Sequence, residues 1–302
     1  MNTSFIKKIN RLIISVIIPY YKDYDRLILL LEKLQEQELD SDLYEVIIVN
    51  NDPEIQLKLP DNFNAKYSLK LVDEFTPGSY AARNKGITES KGKILAFTDS
   101  DCLPDSSWLS NALKIFSKDT NKEIGILTGP VPLFYKRPDK LTFAEVYEKY
   151  TGFSTEAYAK EGHAITANWF SYCSVIQEFN GFNRGIKSNG DSELSKKITT
   201  KYEIKFTPNV IVRHPSRHLV KEIVYKYRRL LGGTYERKFR NSRIKFFIFL
   251  LNFTWRRFRF STKKIVTVNP FESTQILVVN LSIIWGTWKE FFLLLKGEES
   301  KR

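Results

Sequence analysis

Short apolar runs alternate with segments of helical periodicity over the first third of the chain. Four runs, at residues 13–18, 45–49, 69–72 and 93–98, have the length and composition of buried strands. Leucines at helical spacing predict a helix over 24–38, and Pro77-Gly78 introduces a second helix over 79–89. Strands that are apolar throughout and alternate with helices predict an α/β fold, with a parallel sheet covered on both faces.

The first apolar run follows three basic residues, Lys7, Lys8 and Arg11, and together they resemble the start of a secretory signal. A polar segment at 19–23 follows the run where a signal would have a small-residue cleavage site. We therefore interpret residues 12–18 as the first core strand.

Further elements are predicted beyond the fourth strand: helices over 107–116, 142–150 and 192–199, and strands over 124–133 and 210–213. The helix over 142–150 carries Phe143, Val146, Tyr147 and Tyr150 on one stripe. This stripe either lines a groove for a ligand or faces the core, and we favour the core.

Composition indicates a globular protein, because 42% of the 302 residues are apolar. This length suits one large domain or two smaller ones. The only cysteines, Cys102 and Cys173, permit at most one disulfide, which favours a reducing cytosolic compartment. Cys102 follows an acidic pair, but we interpret it as a small packing residue rather than a nucleophile.

The net charge of +13 is concentrated in one segment. Residues 213–264 hold 16 Lys and Arg against 2 acids, whereas the rest of the chain is nearly balanced. Bases interleaved with aromatic residues from Lys221 onward predict a helical extension that binds an anionic membrane surface. Nucleic acid is the less favoured partner, and its binding would depend steeply on salt concentration.

The segment 275–295 approaches the length of about 20 apolar residues that a membrane-crossing helix needs. Asn280, Lys289 and Glu290 interrupt it, so we expect a helix that lies in the membrane interface. A crossing helix and a helix packed against the catalytic domain are the alternatives.

Two acids, Asp99 and Asp101, stand directly after the fourth predicted strand. Carboxylates at this spacing can converge on one hard cation, although an ordinary polar turn also uses such residues. In open α/β sheets, ligands bind beyond the carboxyl ends of the strands. The other strand ends supply aromatic rings, amides and a flexible glycine, a set that suits a nucleoside diphosphate; neither a dinucleotide-binding nor a Walker glycine motif is present.

Five segments occur in the order found in one enzyme family: S-V-I-I-P-Y-Y at 15–21, V-I-I-V-N-N-D at 46–52, P-G-S-Y-A-A-R-N-K-G-I at 77–87, F-T-D-S-D at 97–101 and N-G-F-N-R-G-I-K-S-N-G-D-S-E-L-S at 180–195. On these segments the chain resembles family 2 glycosyltransferases of the GT-A fold. One departure concerns Asn50 and Asn51, which stand where the family commonly has an acid that reads the nucleobase.

The resemblance implies a role for each residue that matches a family motif. Tyr21 packs on the nucleobase, Asn51 or Asp52 reads its edge, and Arg83 supports the diphosphate. The implied set is Pro19, Tyr21, Asn51, Asp52, Arg83 and Asp99 for the nucleotide, Asp99, Asp101 and His214 for a divalent cation (Mn²⁺ or Mg²⁺), Asp191 as catalytic base, and Asn168 and Trp169 for the acceptor.

Several of these roles have alternatives. Asp191 can be a helix N-cap, with Glu193 as the reserve base. Asn168 and Trp169 can belong to a buried aromatic cluster, and His214 can be a solvated surface residue.

We therefore expect a GT-A catalytic domain at 1–218 and a basic, aromatic helical extension at 219–302. The expected function is metal-dependent, inverting transfer of a sugar from a nucleotide-sugar, with a uridine-linked donor favoured, to a glycan or lipid-linked acceptor in cell-surface polysaccharide biosynthesis. The expected location is cytoplasmic, peripheral on the inner face of the cell membrane. The alternative is a catalytically degenerate scaffold that binds membrane or nucleic acid. A sugar-phosphate nucleotidyltransferase is disfavoured because residues 19–22 lack a glycine-rich, arginine-containing loop.

Overall fold

The computed structural model describes residues 12–301, so Lys7, Lys8 and Arg11 lie outside the described residues. The chain divides into two compact units. The first comprises the described residues up to Pro132, together with Phe153–Arg184 and Gly190–His214. The second comprises Leu133–Gly152, Gly185–Asn189 and the chain from Pro215 onward. This division corrects the predicted one: the main break lies near residue 218, but 1–218 is not one contiguous domain.

Strands and helices alternate along most of the described chain. The strands are β1 (Ile14–Tyr20), β2 (Tyr44–Asn50), β3 (Ser68–Asp73), β4 (Ile94–Phe97), β5 (Leu103–Pro104), β6 (Ile124–Thr128), β7 (Leu133–Phe134), β8 (Trp169–Tyr172), β9 (Glu203–Phe206) and β10 (Val212–Pro215). The helices are α1 (Tyr24–Gln35), α2 (Ser79–Glu89), α3 (Trp108–Phe116), α4 (Phe143–Thr151), α5 (Thr155–Lys160), α6 (Cys173–Glu178), α7 (Gly190–Ile198), α8 (Val220–Thr234), α9 (Arg243–Thr267) and α10 (Pro270–Leu295).

The first unit is built on a seven-stranded sheet of order β3-β2-β1-β4-β8-β6-β9. The pairs among β3, β2, β1 and β4 are parallel, β8 is antiparallel to both neighbours, and β9 is parallel to β6. β1 and β2 are apolar at nearly every position because helices cover both faces of the sheet. The predicted α/β fold with a mostly parallel sheet is confirmed.

Helix α1 packs on this sheet through its repeated leucines, Leu27, Leu30, Leu31 and Leu34, all of them fully buried. Helix α2 matches its predicted bounds at both ends. The strand predicted over 124–133 is broken, with β6 ending at Thr128 and β7 starting at Leu133. Pro130 and Pro132 lie in the gap, and neither has an N–H to donate to a sheet ladder.

The second unit packs α4, α8, α9 and α10 around two apolar clusters. Helix α4 begins with a capping box in which Thr142 and Glu145 exchange hydrogen bonds. Val146 and Tyr147 are buried beside Ile276 and Val279 of α10, with Tyr150 partly buried against them. The preferred prediction that this stripe faces a core is confirmed for these residues and wrong for Phe143, which is 41% exposed.

Helix α10 contains the segment expected to lie in a membrane interface. Within the described residues it is the one helix long and apolar enough to cross a membrane by length and composition, and 44% of its apolar window is buried inside the protein. Asn280 donates to Ser261 of α9 at 2.8 Å, and Arg228 of α8 pairs with Glu290 at 2.7 Å. Two of the polar residues that interrupt the apolar segment, Asn280 and Glu290, therefore face other helices of the second unit, whereas Lys289 is exposed.

Candidate active site

The acidic pair lies in a turn at the carboxyl end of β4, where the Cys102 amide donates to the Asp99 carbonyl at 3.0 Å. Strand β10 pairs with β5 just beyond this turn, with Arg213 opposite Leu103. This pairing brings His214 to the acids, so that its Nε2 lies 4.0 Å from Asp101 Oδ1. His214 is only 8% exposed, which argues against a solvated surface histidine.

Three donor groups at this turn could hold a metal ion, because ligand atoms of Asp99, Cys102 and His214 all lie within 4.8 Å of one another. Cys102 is fully buried, and burial raises the pKa of its thiol well above the usual range. A protonated thiol is a poor ligand for a hard cation. The donor set that fits Mn²⁺ or Mg²⁺ is therefore the two carboxylates, Asp99 and Asp101, with the imidazole of His214.

Two arginines neutralise the acids in this structure. Arg83 of α2 forms an ion pair with Asp99, and Arg26 of α1 lies 3.6 Å from Asp101. Arg83 is 3% exposed, and its Nε is buried with no hydrogen-bond partner among the described residues. An unused guanidinium donor beside a carboxylate pair suits a phosphate oxygen, which accepts such hydrogen bonds strongly.

Asn51, at the end of β2, holds the loop that precedes α2. Its side-chain amide donates to the carbonyls of Glu74 and Thr76 at 2.6 and 2.8 Å, and its Oδ1 accepts from the Gly78 amide at 2.7 Å. Gly78 has a φ of 127°, which favours glycine. These bonds use both amide protons of Asn51, so the prediction that it reads a nucleobase edge is corrected to a loop-positioning role.

Asp52 is the remaining candidate for hydrogen bonding to the edge of the nucleobase. It is 5% exposed; its Oδ1 accepts from the Glu54 amide at 3.2 Å and lies 3.9 Å from the Lys22 ammonium. Tyr21 is 59% exposed at the end of β1, and half-buried Pro19 pairs with Val49 of β2. An exposed ring beside a buried carboxylate is an arrangement that a nucleobase can contact by stacking and by hydrogen bonding.

Asp191 lies in the first turn of α7, which begins at Gly190. It is therefore inside the helix rather than at the N-cap position. Burial raises the pKa of Asp191, and Asp99 raises it further, while the Ser192 amide and Arg83 act in the opposite direction. Asp191 is thus close enough to Asp99 and Arg83 for their charges to act on it. Glu193, the reserve candidate, instead pairs with Lys197 at 3.0 Å on the outer side of the helix.

Tyr80 fixes this end of α7 and was not predicted as a site residue. Its hydroxyl accepts from the Gly190 amide at 2.8 Å, and the Arg83 guanidinium lies 5.8 Å from its ring centre. A Cβ on Gly190 would lie 2.7 Å from the Tyr80 ring, so only glycine permits this approach. Tyr80 stands three residues before Arg83 on α2, so the sequence does place the two side chains on the same side of the helix. The residue type alone does not distinguish Tyr80 from an ordinary packing residue.

The acceptor assignment of Asn168 and Trp169 is wrong in this structure, because both side chains are fully buried. The Asn168 amide accepts from Trp108 Nε1 at 3.0 Å and donates to the Val210 carbonyl at 2.8 Å. Trp169 belongs to β8 and donates to Ser171 at 2.7 Å. The alternative, a buried aromatic cluster, describes both residues.

Residues 15–180 match the family model described as "Glycosyl transferase family 2", which covers more than half of the chain. The chain belongs to glycosyl transferase family 2. The resemblance inferred from the five sequence segments is therefore confirmed, and the family makes the protein a glycosyl transfer enzyme.

Two relatives support the same family. The transferase is 33% identical over 209 residues to "Glycosyltransferase AglE" of Haloferax volcanii, covering 68% of this chain and 67% of the relative. It is 30% identical over 148 residues to "Uncharacterized glycosyltransferase YfnE" of Bacillus subtilis, covering 48% of this chain and 35% of that protein.

Solved structures show the same fold. The Pyrobaculum calidifontis mannosyltransferase PcManGT, in complex with GDP-Man and Mn²⁺, aligns with a TM-score of 0.54 at 17% identity, over 96% of this chain and 80% of that chain. S. aureus TarS 1–349 in complex with UDP-GlcNAc aligns with a TM-score of 0.55 at 14% identity, over 95% and 93% of the two chains. The transferase spans 40% of a longer TarS chain.

Proposed function

We propose that the transferase moves a sugar with inversion from a nucleoside diphosphate sugar to a hydroxyl of a glycan or lipid-linked acceptor. One observation carries the proposal: Asp99, Asp101, His214, Arg83 and Asp191 converge at the carboxyl edge of one sheet. This edge combines oxygen ligands for a divalent cation, a buried guanidinium for a phosphate and a separate carboxylate for a proton.

In this proposal Asp191 takes the proton from the acceptor hydroxyl. The acceptor oxygen forms a bond to the anomeric carbon while the bond from that carbon to the diphosphate oxygen breaks on the opposite face. Burial raises the pKa of Asp191, which makes it a stronger base than an exposed carboxylate. Arg83 Nε is available to a phosphate oxygen of the departing diphosphate.

Asp99, Asp101 and His214 would hold the divalent cation. The cation, when bound, supplies positive charge that stabilises the leaving nucleoside diphosphate, so that no separate general acid is needed. Mn²⁺ or Mg²⁺ suits the two carboxylates with one imidazole.

The donor that we propose is uridine-linked, with Tyr21 stacked on the base and Asp52 reading its edge. TarS structures hold UDP and UDP-GlcNAc, whereas the PcManGT structure holds GDP-Man, so related folds accept either base. We propose cell-surface polysaccharide biosynthesis on the cytosolic face of the membrane as the setting, supported by the basic segment at 213–264.

Calorimetric titration of UDP and GDP, with and without Mn²⁺, tests the donor site. We expect UDP binding that depends on Mn²⁺ and that weakens at least about tenfold in Asp101→Asn, because a cation ligand is lost. Asp139→Asn is the matched control, since its side chain is 75% exposed and its one ion pair among residues 12–301 is with Arg137.

Tighter binding of GDP than of UDP would overturn the choice of base and leave the reaction class intact. Absence of nucleotide binding with and without Mn²⁺ would overturn the transfer proposal and favour the scaffold alternative.

A further inference from the structure

Two neighbouring helices of the second unit expose apolar stripes. On α9 the exposed positions recur at intervals of three, four and seven residues, which places them on one helical face. They are Ile244, Ile248, Leu251, Trp255, Phe258 and Ile265. On α10 a second exposed stripe follows the same spacing and consists of Phe271, Val278, Leu281, Trp285 and Phe292.

Aromatic rings join the two stripes into one surface. The ring of Phe247, 42% exposed on α9, lies 5.9 Å from that of Trp288 on α10. The Trp288 ring in turn lies 6.2 Å from that of Phe292, which belongs to the α10 stripe. We call the two stripes and these bridging rings the α9–α10 face. A continuous exposed apolar face of this extent is unusual for a free surface and indicates a binding partner.

The charges beside this face have one sign. Exposed Arg256, Arg259 and Lys263 lie on α9, and none of them forms an ion pair among the described residues. The acids between residues 243 and 295 are Glu272 and Glu290. Both are engaged within the unit: Glu272 binds Lys149 at 3.0 Å, and Glu290 binds Arg228. The partner must therefore offer hydrocarbon and negative charge together.

We propose that the α9–α10 face docks in the plane of an anionic lipid bilayer. Rings and aliphatic side chains enter the headgroup boundary, while the neighbouring bases contact lipid phosphates. Duplex nucleic acid has phosphates but no hydrocarbon to cover the stripes. A second copy of this chain would bring like-charged bases together with no acid to offset them.

The packing of α10 favours docking over membrane crossing. Its inner side carries Asn280 and Glu290, each bound to a neighbouring helix. A crossing α10 would lose these partners and bring a carboxylate into hydrocarbon, which is costly. An in-plane helix keeps the contacts and places only its apolar stripe in lipid.

Vesicle flotation of the full chain tests the proposal, with vesicles of phosphatidylcholine alone and mixed with phosphatidylglycerol. We expect the wild type to float with the anionic vesicles and to be released by salt. Trp255→Glu/Trp285→Glu should lower the bound fraction at least about tenfold. Leu29→Glu/Ile55→Glu is the matched control, because it places two acids at exposed apolar positions of the first unit.

A second readout separates insertion from indirect effects. Bromine-labelled lipids should quench tryptophan fluorescence in the wild type, and Trp255→Phe/Trp285→Phe should float normally with reduced quenching. UDP titration of the glutamate double variant should match the wild type, which keeps this test independent of the donor site.

Three outcomes would overturn the proposal. The wild type fails to float with either vesicle, or the glutamate double variant floats as well as its control. In the third, the wild type is a dimer that this variant converts to monomer without any vesicle binding, which would make the face an interface between two copies.

Discussion

At the residue scale, Arg83 links the two acidic parts of the site. Its guanidinium pairs with Asp99, and its charge also lowers the pKa of Asp191 against the larger effect of burial. A cation at Asp99 and Asp101 would compete with Arg83 for Asp99. In the proposed complex with donor and cation, Arg83 would exchange its bond to Asp99 for one to a phosphate oxygen.

Asp191→Asn should abolish transfer while leaving donor binding within about twofold of the wild type, because Asp191 is proposed to act only on the acceptor. The same change should raise stability in EDTA at neutral pH by roughly 2 °C in melting temperature. Burial raises the folded-state pKa of Asp191, so folding favours the neutral carboxyl. The stability that the neutral carboxyl provides is fully present below the unfolded-state pKa and is lost as pH rises through the folded-state pKa.

Thermal melting as a function of pH checks this prediction. The gain in Asp191→Asn should shrink toward acid pH, where the wild-type carboxyl is also neutral. A gain that is equal at all pH values would show that Asp191 does not carry the buried charge.

Tyr80→Phe should lower transfer about tenfold with little effect on UDP affinity. The change removes the hydroxyl that accepts from the Gly190 amide but keeps the ring beside Arg83 and Phe182. Loss of one such hydrogen bond costs about 1 kcal/mol, enough to loosen the first turn of α7. Single-turnover rates and calorimetry separate the two effects, and weaker UDP binding with normal turnover would contradict a positioning role.

At the element scale, β10 and α7 bring distant sequence to the acidic turn. Strand β10 delivers His214 because it pairs with β5, which follows the turn directly. Helix α7 delivers Asp191 because its first amide is held by Tyr80 of α2. Neither contact follows from periodicity, since each depends on which short elements pair.

Glu290→Ala should destabilise the protein by about 1.5–3 kcal/mol, because it leaves Arg228, whose side chain is 19% exposed, without the charged partner of a partly buried ion pair. Glu290→Gln, which keeps the shape and one acceptor oxygen, should cost less. Urea unfolding monitored by tryptophan fluorescence measures both, with exposed Glu298→Ala as the control. Equal stability of all three variants would show that the pair contributes little to packing of α8 and α10.

At the scale of the whole molecule, the second unit draws on three separate parts of the sequence. Helix α4 precedes Asp191, the proposed base, in the chain, yet its buried face packs with α8 and α10. A chain ending at residue 218 should therefore aggregate, because Val146 and Tyr147 would lose Ile276 and Val279 as neighbours.

Size-exclusion chromatography of the truncated and full-length chains checks this expectation. Adding Val146→Ser and Tyr147→Lys to the truncated chain should improve its solubility, since the exposed stripe becomes polar. A monodisperse truncated chain without these changes would mean that α4 does not need the C-terminal helices.

Stretches of contiguous residues were enough to predict the parallel half of the sheet, the bounds of α2, the basic aromatic extension and the acidic pair. These features are local: apolar runs of strand length, helical spacing and charge are all written in contiguous residues. Three features could be seen only in the folded chain: Asn168 and Trp169 are buried, Asn51 holds a loop, and α4 packs with the C-terminal helices. Each of these depends on contacts between residues far apart in the chain, and no periodicity encodes which partner a buried side chain meets.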